Sequence, residues 1–117
     1  MYVGQTADER RDDVALMGRI AARDQRAIAA LYDRYSGLLY GLVLRVLGNP
    51  RGAEDVLEQV FLAAWMCADS YDRTLGSPAA WLVRLALKRA FDRLPSGERR
   101  AAMLSLRQML EEHALER

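Results

Sequence analysis

Three prolines, each beside a residue that caps or stops a helix, cut this chain into helix-length pieces. Gly48 is a natural helix stop, and Asn49-Pro50 is a natural restart. Ser77 suits the cap of a later helix, with Pro78 at its first helical position. Pro95 closes that helix, and Ser96-Gly97 breaks the pattern again. Between these marks, apolar residues recur at three- and four-residue intervals. The spacing predicts an all-α fold: a compact bundle of about four helices with an additional C-terminal helical segment. No convincing strand, hairpin, repeat or low-complexity tract competes with that pattern.

In chain order, residues 1–11 read as a disordered lead-in, 12–95 as the helical domain, and 96–117 as a C-terminal helix or linker. Asp12 or Asp13 suits the cap of a short first helix through Ala22, with Val14, Met17, Ile20 and Ala21 on one side. Asp24 caps the next, where Ile28, Leu31, Tyr32 and Tyr35 keep helical spacing. Ser36-Gly37 either interrupts this helix or merely bends it before Leu38, Leu39, Leu42, Val43 and Val46. A third helix runs from about Pro50 to Ala68, its core stripe being Ala53, Val56, Leu57, Val60, Phe61 and Ala64. Asp69 to Gly76 is a loop by composition. Residues 98–116 carry a weaker pattern, open to three readings: a packing helix, a linker, or a segment that orders on a partner.

The helix expected over Ser77 to Leu94 carries the most specific pattern. At about 100° per residue, Arg84, Lys88, Arg89, Asp92 and Arg93 share one half. Leu82, Val83, Leu85, Ala86, Leu87, Ala90, Phe91 and Leu94 fill most of the rest. Trp81 lies seven residues before Lys88 and therefore at nearly the same azimuth. A flat aromatic in line with cations suits a strand of nucleic acid, phosphates to the cations and a base to the ring.

The net charge of +1 hides an asymmetry. Residues 53–77 carry Glu54, Asp55, Glu58, Asp69 and Asp72 against Arg73 alone. Residues 84–107 carry seven arginines and lysines against Asp92 and Glu98. Either the chain meets two chemically different partners, or the two stretches neutralise each other on a solvated surface. On the third helix, Leu62, Trp65 and Met66 extend the side that bears Glu54, Asp55, Glu58 and Gln59. Large apolar residues beside an acidic patch mark a binding surface, unless another part of the domain covers them.

At 117 residues, the chain is long enough for one domain, which buries roughly 65% of its unfolded surface. No apolar run reaches the about 20 residues that span a bilayer, and the polar N-terminus does not read as a signal peptide. Membrane insertion is therefore not expected. Cys67 is the single cysteine and His113 the single histidine, so neither a zinc site nor a Cys-His nucleophile pair is expected. One cysteine excludes an internal disulfide and fits a reducing cytoplasm. Cys67 reads as a small buried side chain. No Gly-rich phosphate loop is present, and the carboxylates lie where helix surfaces put them. No catalysis, cofactor or small-molecule substrate is expected.

From about Asp13 to Leu94 the chain resembles region 2 of the sigma-70 family, in particular its extracytoplasmic-function (ECF) members. DQRAIAALYDRYSGLLYGLVLRVLGN is similar to the opening helices. GAEDVLEQVFLAAW resembles the helix that grips the polymerase clamp. SPAAWLVRLALKRAFDRL resembles the promoter-melting helix, usually written close to W-L-x-x-I-A-R-N-x-x-x-D-x-L-R. Departures are the order Glu58-Gln59, the pair Leu87-Lys88 in place of Arg-Asn, and Pro95 in place of Arg. Asn both donates to and accepts from a base edge, whereas Lys only donates.

The resemblance implies a domain of a transcription-initiation factor in the cytoplasm. Core RNA polymerase, through its beta-prime clamp, would be met by Asp55, Glu58, Gln59, Leu62 and Trp65. The non-template strand of promoter DNA would be met by Trp81, Arg84 and Lys88, with the Asp69 to Gly76 loop forming a base pocket. An anti-sigma protein is a further implied partner. An alternative remains: a module of this fold that binds polymerase or an anti-sigma protein without reading DNA.

Overall fold

The structure is a computed structural model that describes residues 6–115, with side chains from 6 to 112. The described residues form five α-helices and no strand: α1 (Ala7–Ala21), α2 (Gln25–Leu47), α3 (Pro50–Met66), α4 (Pro78–Asp92) and α5 (Ser96–Leu115). Two short 3₁₀ turns, Ala68–Ser70 and Arg73–Leu75, lie between α3 and α4. None of the helices is long and apolar enough to cross a membrane. The all-α bundle expected from the spacing is therefore present, with α5 as its additional segment.

The hub is α2, which touches all four other helices. It is continuous through Ser36-Gly37, so that pair neither breaks nor ends it. Leu31, Tyr35, Leu39 and Val43 form its buried stripe, while Tyr32, expected on the same stripe, is 44% exposed. The Tyr32 ring instead meets Phe61 edge-on at 4.9 Å. All six expected core residues of α3 are buried. On α4 the buried set is rich in small side chains, Ala79, Ala86 and Ala90 around Leu82. Small residues at a helix contact allow a short interaxial distance.

Helix ends follow local chemistry. Asp24 Oδ1 accepts from the Arg26 N–H at 3.0 Å, and Asn49 Oδ1 accepts from the N–H groups of Arg51 and Gly52. Gly48 ends α2 in the left-handed region at φ 66°, its N–H donating to the Leu44 carbonyl at 2.7 Å. A Cβ at this position would meet nothing within 4 Å, so the cost of a side chain there is purely conformational. Gly48→Ala is expected to lower stability by about 1 kcal/mol in a urea melt. A neutral result would show that the α2–α3 turn can relax to another conformation.

The start of α1 differs from expectation. Ala7 to Arg11, expected in the lead-in, are helical, and Thr6 is the cap, its hydroxyl accepting from the Glu9 N–H at 3.0 Å. Residues 1–5 of that lead-in lie outside the described residues. Neither Asp12 nor Asp13 caps. Asp13 lies inside α1 and is fully buried, where its carboxylate accepts from Arg34 Nη1 and from the Tyr35 hydroxyl of α2. The buried stripe is Asp13, Leu16, Met17 and Ile20. Its spacing is that of an apolar stripe, with a paired acid at the first position.

α5 packs on α2 by burying Leu106, and Arg45 Nε donates to the Ser105 hydroxyl at 3.3 Å. Of residues 98–116, those through Leu115 are helical and continue the segment that packs on α2. Residue 116 lies outside the described residues.

Candidate functional site

The acidic side of α3 faces outward. Asp55, Glu58 and Gln59 are exposed, and Leu62 and Met66 are 56% and 61% exposed. Their helix is oriented by the buried stripe on its other side, so these residues stand away from the bundle. Leu62 and Met66 border a shallow groove closed by Gln59, Cys67 and Arg89. Cys67 is exposed there, contrary to the expected buried thiol. It caps the end of α3 at φ −121°, where the helical register that would have carried it inward has ended. Arg89, placed with the outward cations by its azimuth, is half-buried, and its Nε has no hydrogen-bond partner.

Trp65 stands apart from this exposed group. Its ring is half-buried against the core, and the Arg23 guanidinium lies over it at 5.3 Å. Arg23 Nη1 also donates to the Trp65 carbonyl, one of the unpaired carbonyls at the end of α3. Arg23 does this from the left-handed region, at φ 68° in the α1–α2 turn. Such a conformation is uncommon for a side-chain-bearing residue and costs roughly 1 kcal/mol. The contact joins positions 42 residues apart, so helical periodicity carries no sign of it.

Asp55 is shared between two helices. Its Oδ2 lies 3.5 Å from Arg93 Nη2 at the end of α4, and Arg93 Nη1 donates to the Gly52 carbonyl at 3.0 Å. With the Asp55 side chain 54% exposed, such a pair contributes about 0–1 kcal/mol. Asp55 is thus held in place by an ion pair that gives way easily.

On α4, Ser77 Oγ accepts from the Ala80 N–H at 3.2 Å, the cap expected from the sequence. Arg84 and Lys88 are exposed and Trp81 is half-buried. The indole is packed against the core along one side and meets the Tyr71 ring edge-on at 5.8 Å. Lys88 Nζ is 3.4 Å from Asp92 Oδ2, both side chains being largely exposed. Trp81, Arg84 and Lys88 therefore form one row, with the indole at its inner edge and the two cations in solvent.

The loop before α4 is held by its own side chains. The Tyr71 hydroxyl donates to the Gly76 carbonyl at 2.7 Å. Asp72 Oδ1 accepts from the Thr74 N–H at 2.9 Å and from its hydroxyl at 2.6 Å. The Thr74 hydroxyl and then its N–H hold the Asp72 carboxyl below its ordinary pKa. This turn therefore keeps its acceptor above the ordinary carboxylate range, and loses it only as pH falls through the lowered value. Burial pushes the Tyr71 phenol up, opposed by the charge of Arg10. Gly76, at φ 145° and ψ −178°, occupies backbone space that is essentially glycine's alone. A Cβ there would meet Arg84 Nη1 in ordinary contact at 3.7 Å, so the guanidinium lies beside the loop and the demand for glycine is conformational.

Beyond the loop, a cavity of about 650 Å³ opens against the first turns of α1, lined by Arg10, Arg11, Val14, Tyr71, Arg73 and Thr74 among others. It is not foreseeable from the sequence, because its walls are some 60 positions apart in the chain and meet only through packing. Among the described residues, no group of three or more His, Cys, Asp or Glu side chains is arranged to hold a metal ion.

A family profile described as Sigma-70 region 2 matches residues 31–100. Curated relatives include the ECF RNA polymerase sigma factor SigK of Mycobacterium sp. (strain KMS), 47% identical over 83 residues. That match covers 71% of this chain and 43% of the relative. SigK of Mycolicibacterium vanbaalenii is 43% identical over 82 residues, covering 70% of this chain and 42% of the relative. SigK of Mycobacterium tuberculosis (strain ATCC 25177 / H37Ra) is 40% identical over 80 residues, covering 68% and 43%. The matched stretch thus spans less than half the length of these relatives.

Proposed function

The chain belongs to the sigma-70 family through its region 2, of the extracytoplasmic-function kind, and from that premise we propose that it docks on core RNA polymerase and helps open promoter DNA. The observation that supports this reading best is the pairing of two unlike surfaces on neighbouring helices. One is the acidic and apolar side of α3, with Asp55, Glu58, Gln59 and Leu62 outward and Trp65 at its edge. The other is the row Trp81, Arg84 and Lys88 on α4, flanked by the self-braced loop.

In this reading the α3 side meets the beta-prime clamp. The α4 row holds the separated non-template strand while the loop takes a flipped minus-ten base. Flipping costs a few kcal/mol. Stacking on an aromatic returns about 1–3 kcal/mol per base, and phosphate contacts at Arg84 and Lys88 supply the rest. The chain does no chemistry itself; the polymerase does. It acts in the cytoplasm, and an anti-sigma protein competes for the same surfaces.

A fluorescent minus-ten non-template oligonucleotide tests the strand-holding half. Trp81→Ala and Lys88→Ala should each weaken binding, the first by about 5- to 100-fold if one base can no longer stack. The logarithm of affinity should fall with the logarithm of salt by about 0.7 per phosphate neutralised. Melting curves recorded alongside separate an effect on stacking from an effect on packing at Trp81. Equal affinity for matching and scrambled oligonucleotides would favour the second reading, a sigma-like module that binds polymerase or an anti-sigma protein without sequence-specific DNA contact. The Lys88–Asp92 pair, which engages that ammonium within its own helix, is the observation on its side.

A further inference from the structure

The cavity between α1 and the loop borders the strand path proposed above. Tyr71 belongs to both, since it lines the cavity and meets Trp81 edge-on at 5.8 Å. From Lys88 and Arg84, the surface therefore runs through Trp81 and Tyr71 to Arg73, and across the cavity to Arg10 and Arg11. Three arginines line this cavity and no acidic residue does. Its volume, about 650 Å³, falls within the range of about 300–1,000 Å³ typical of pockets that enclose small organic ligands.

The acids nearest the cavity do not lock these cations, although Asp69 borders an adjoining hollow with Tyr71 and Arg73. Asp72 is engaged by Thr74. Asp8 pairs with Arg11, but both side chains are more than 70% exposed, and a pair in that setting exchanges readily for a stronger anion. Arginine is the side chain best fitted to a phosphate, which it holds through two parallel N–H donors. Val14 and Tyr71 supply an apolar and aromatic wall for a base. The α1 wall is built into the fold, because Asp13 anchors it on Arg34 and Tyr35 while Leu16, Met17 and Ile20 enter the core.

We infer that α1 forms the far wall of the strand-holding site, and that the cavity receives one nucleotide of unpaired DNA, its phosphate held by Arg10 and Arg11. This rests on the strand-holding reading above and adds a helix to it.

The test uses the whole chain, the same fluorescent oligonucleotide, and the exposed-site variant Arg10→Gln/Arg11→Gln. Affinity is expected to fall about 5- to 20-fold, with the salt slope flatter by about 0.7 for each phosphate no longer neutralised. A second arm leaves the protein untouched and replaces each phosphate of the oligonucleotide in turn by a neutral methylphosphonate. One position should weaken binding to the unaltered chain and make no further difference to the double variant. If the double variant binds as the unaltered chain does while Lys88→Ala still weakens binding, the cavity assignment is overturned and the α4 row stands. If neither variant weakens binding, strand holding fails and the cavity assignment falls with it. Displacement of the oligonucleotide by thymidine monophosphate at equal concentration would identify a free-nucleotide pocket, and would also overturn the inference.

Discussion

Asp13→Ala should lower stability by about 3 kcal/mol, or about 12 °C in melting temperature for a chain of this size. Asp13 is fully buried and accepts from both Arg34 and Tyr35. The two donors fare differently without it. The Arg34 side chain is 40% exposed and can turn to water. Tyr35 is buried, so losing the Asp13 acceptor from its hydroxyl should cost about 1–3 kcal/mol. The cavity left at the α1–α2 contact adds to this. Asp13→Asn, which retains an acceptor oxygen, should cost clearly less. In the Asp13→Leu/Tyr35→Phe pair the polar groups leave together, and the double change should be less destabilising than the sum of the singles. Additive losses, or an Asp13→Ala melt within about 2 °C of the unaltered chain, would mean that the network contributes little.

The other large effect is expected at the surface of α3. Leu62→Glu and Met66→Glu alter side chains that are more than half exposed, so melts should change little. If the clamp covers these residues, each new carboxylate must be desolvated against an apolar contact. Affinity for core polymerase should then fall by about 30-fold or more, in the range of an interface hot spot. Asp55→Arg should weaken binding as well, by reversing the charge offered to the partner and placing a second cation near Arg93. A pull-down of the clamp fragment that captured all three variants as well as the unaltered chain would remove this side of α3 from the docking assignment.

Much of the architecture is legible in the sequence because it rests on local rules. The Asp24, Asn49 and Ser77 caps, the Gly48 stop and the whole buried stripe of α3 follow from spacing and capping chemistry. Asp13 misleads because an acid near the start of a helix ordinarily caps it. Nothing in the local pattern announces a donor pair waiting on another helix. Cys67 and Arg89 mislead for a related reason: azimuth says which way a side chain leaves its helix, not where the helix ends or what lies alongside. Trp65 does lie toward the outward side of α3, but the arginine over it comes from a distant turn. The candidate site is legible residue by residue along α3 and α4. The cavity is not, since half of it comes from a helix whose beginning has the composition of a tail.

Arg93 reaches from the last turn of α4 to the first turn of α3, touching Gly52 and Asp55, while alanines along α4 let the two helices close on a shared interior. That close packing, rather than the weak ion pair, makes the domain resemble a gauge block more than a hinge. The separation between the surface proposed to grip the polymerase and the one proposed to hold a strand is set by tight packing, so the advance of one would carry the other with it. A strand would then be opened at a constant offset from the machine, without any moving part in this chain.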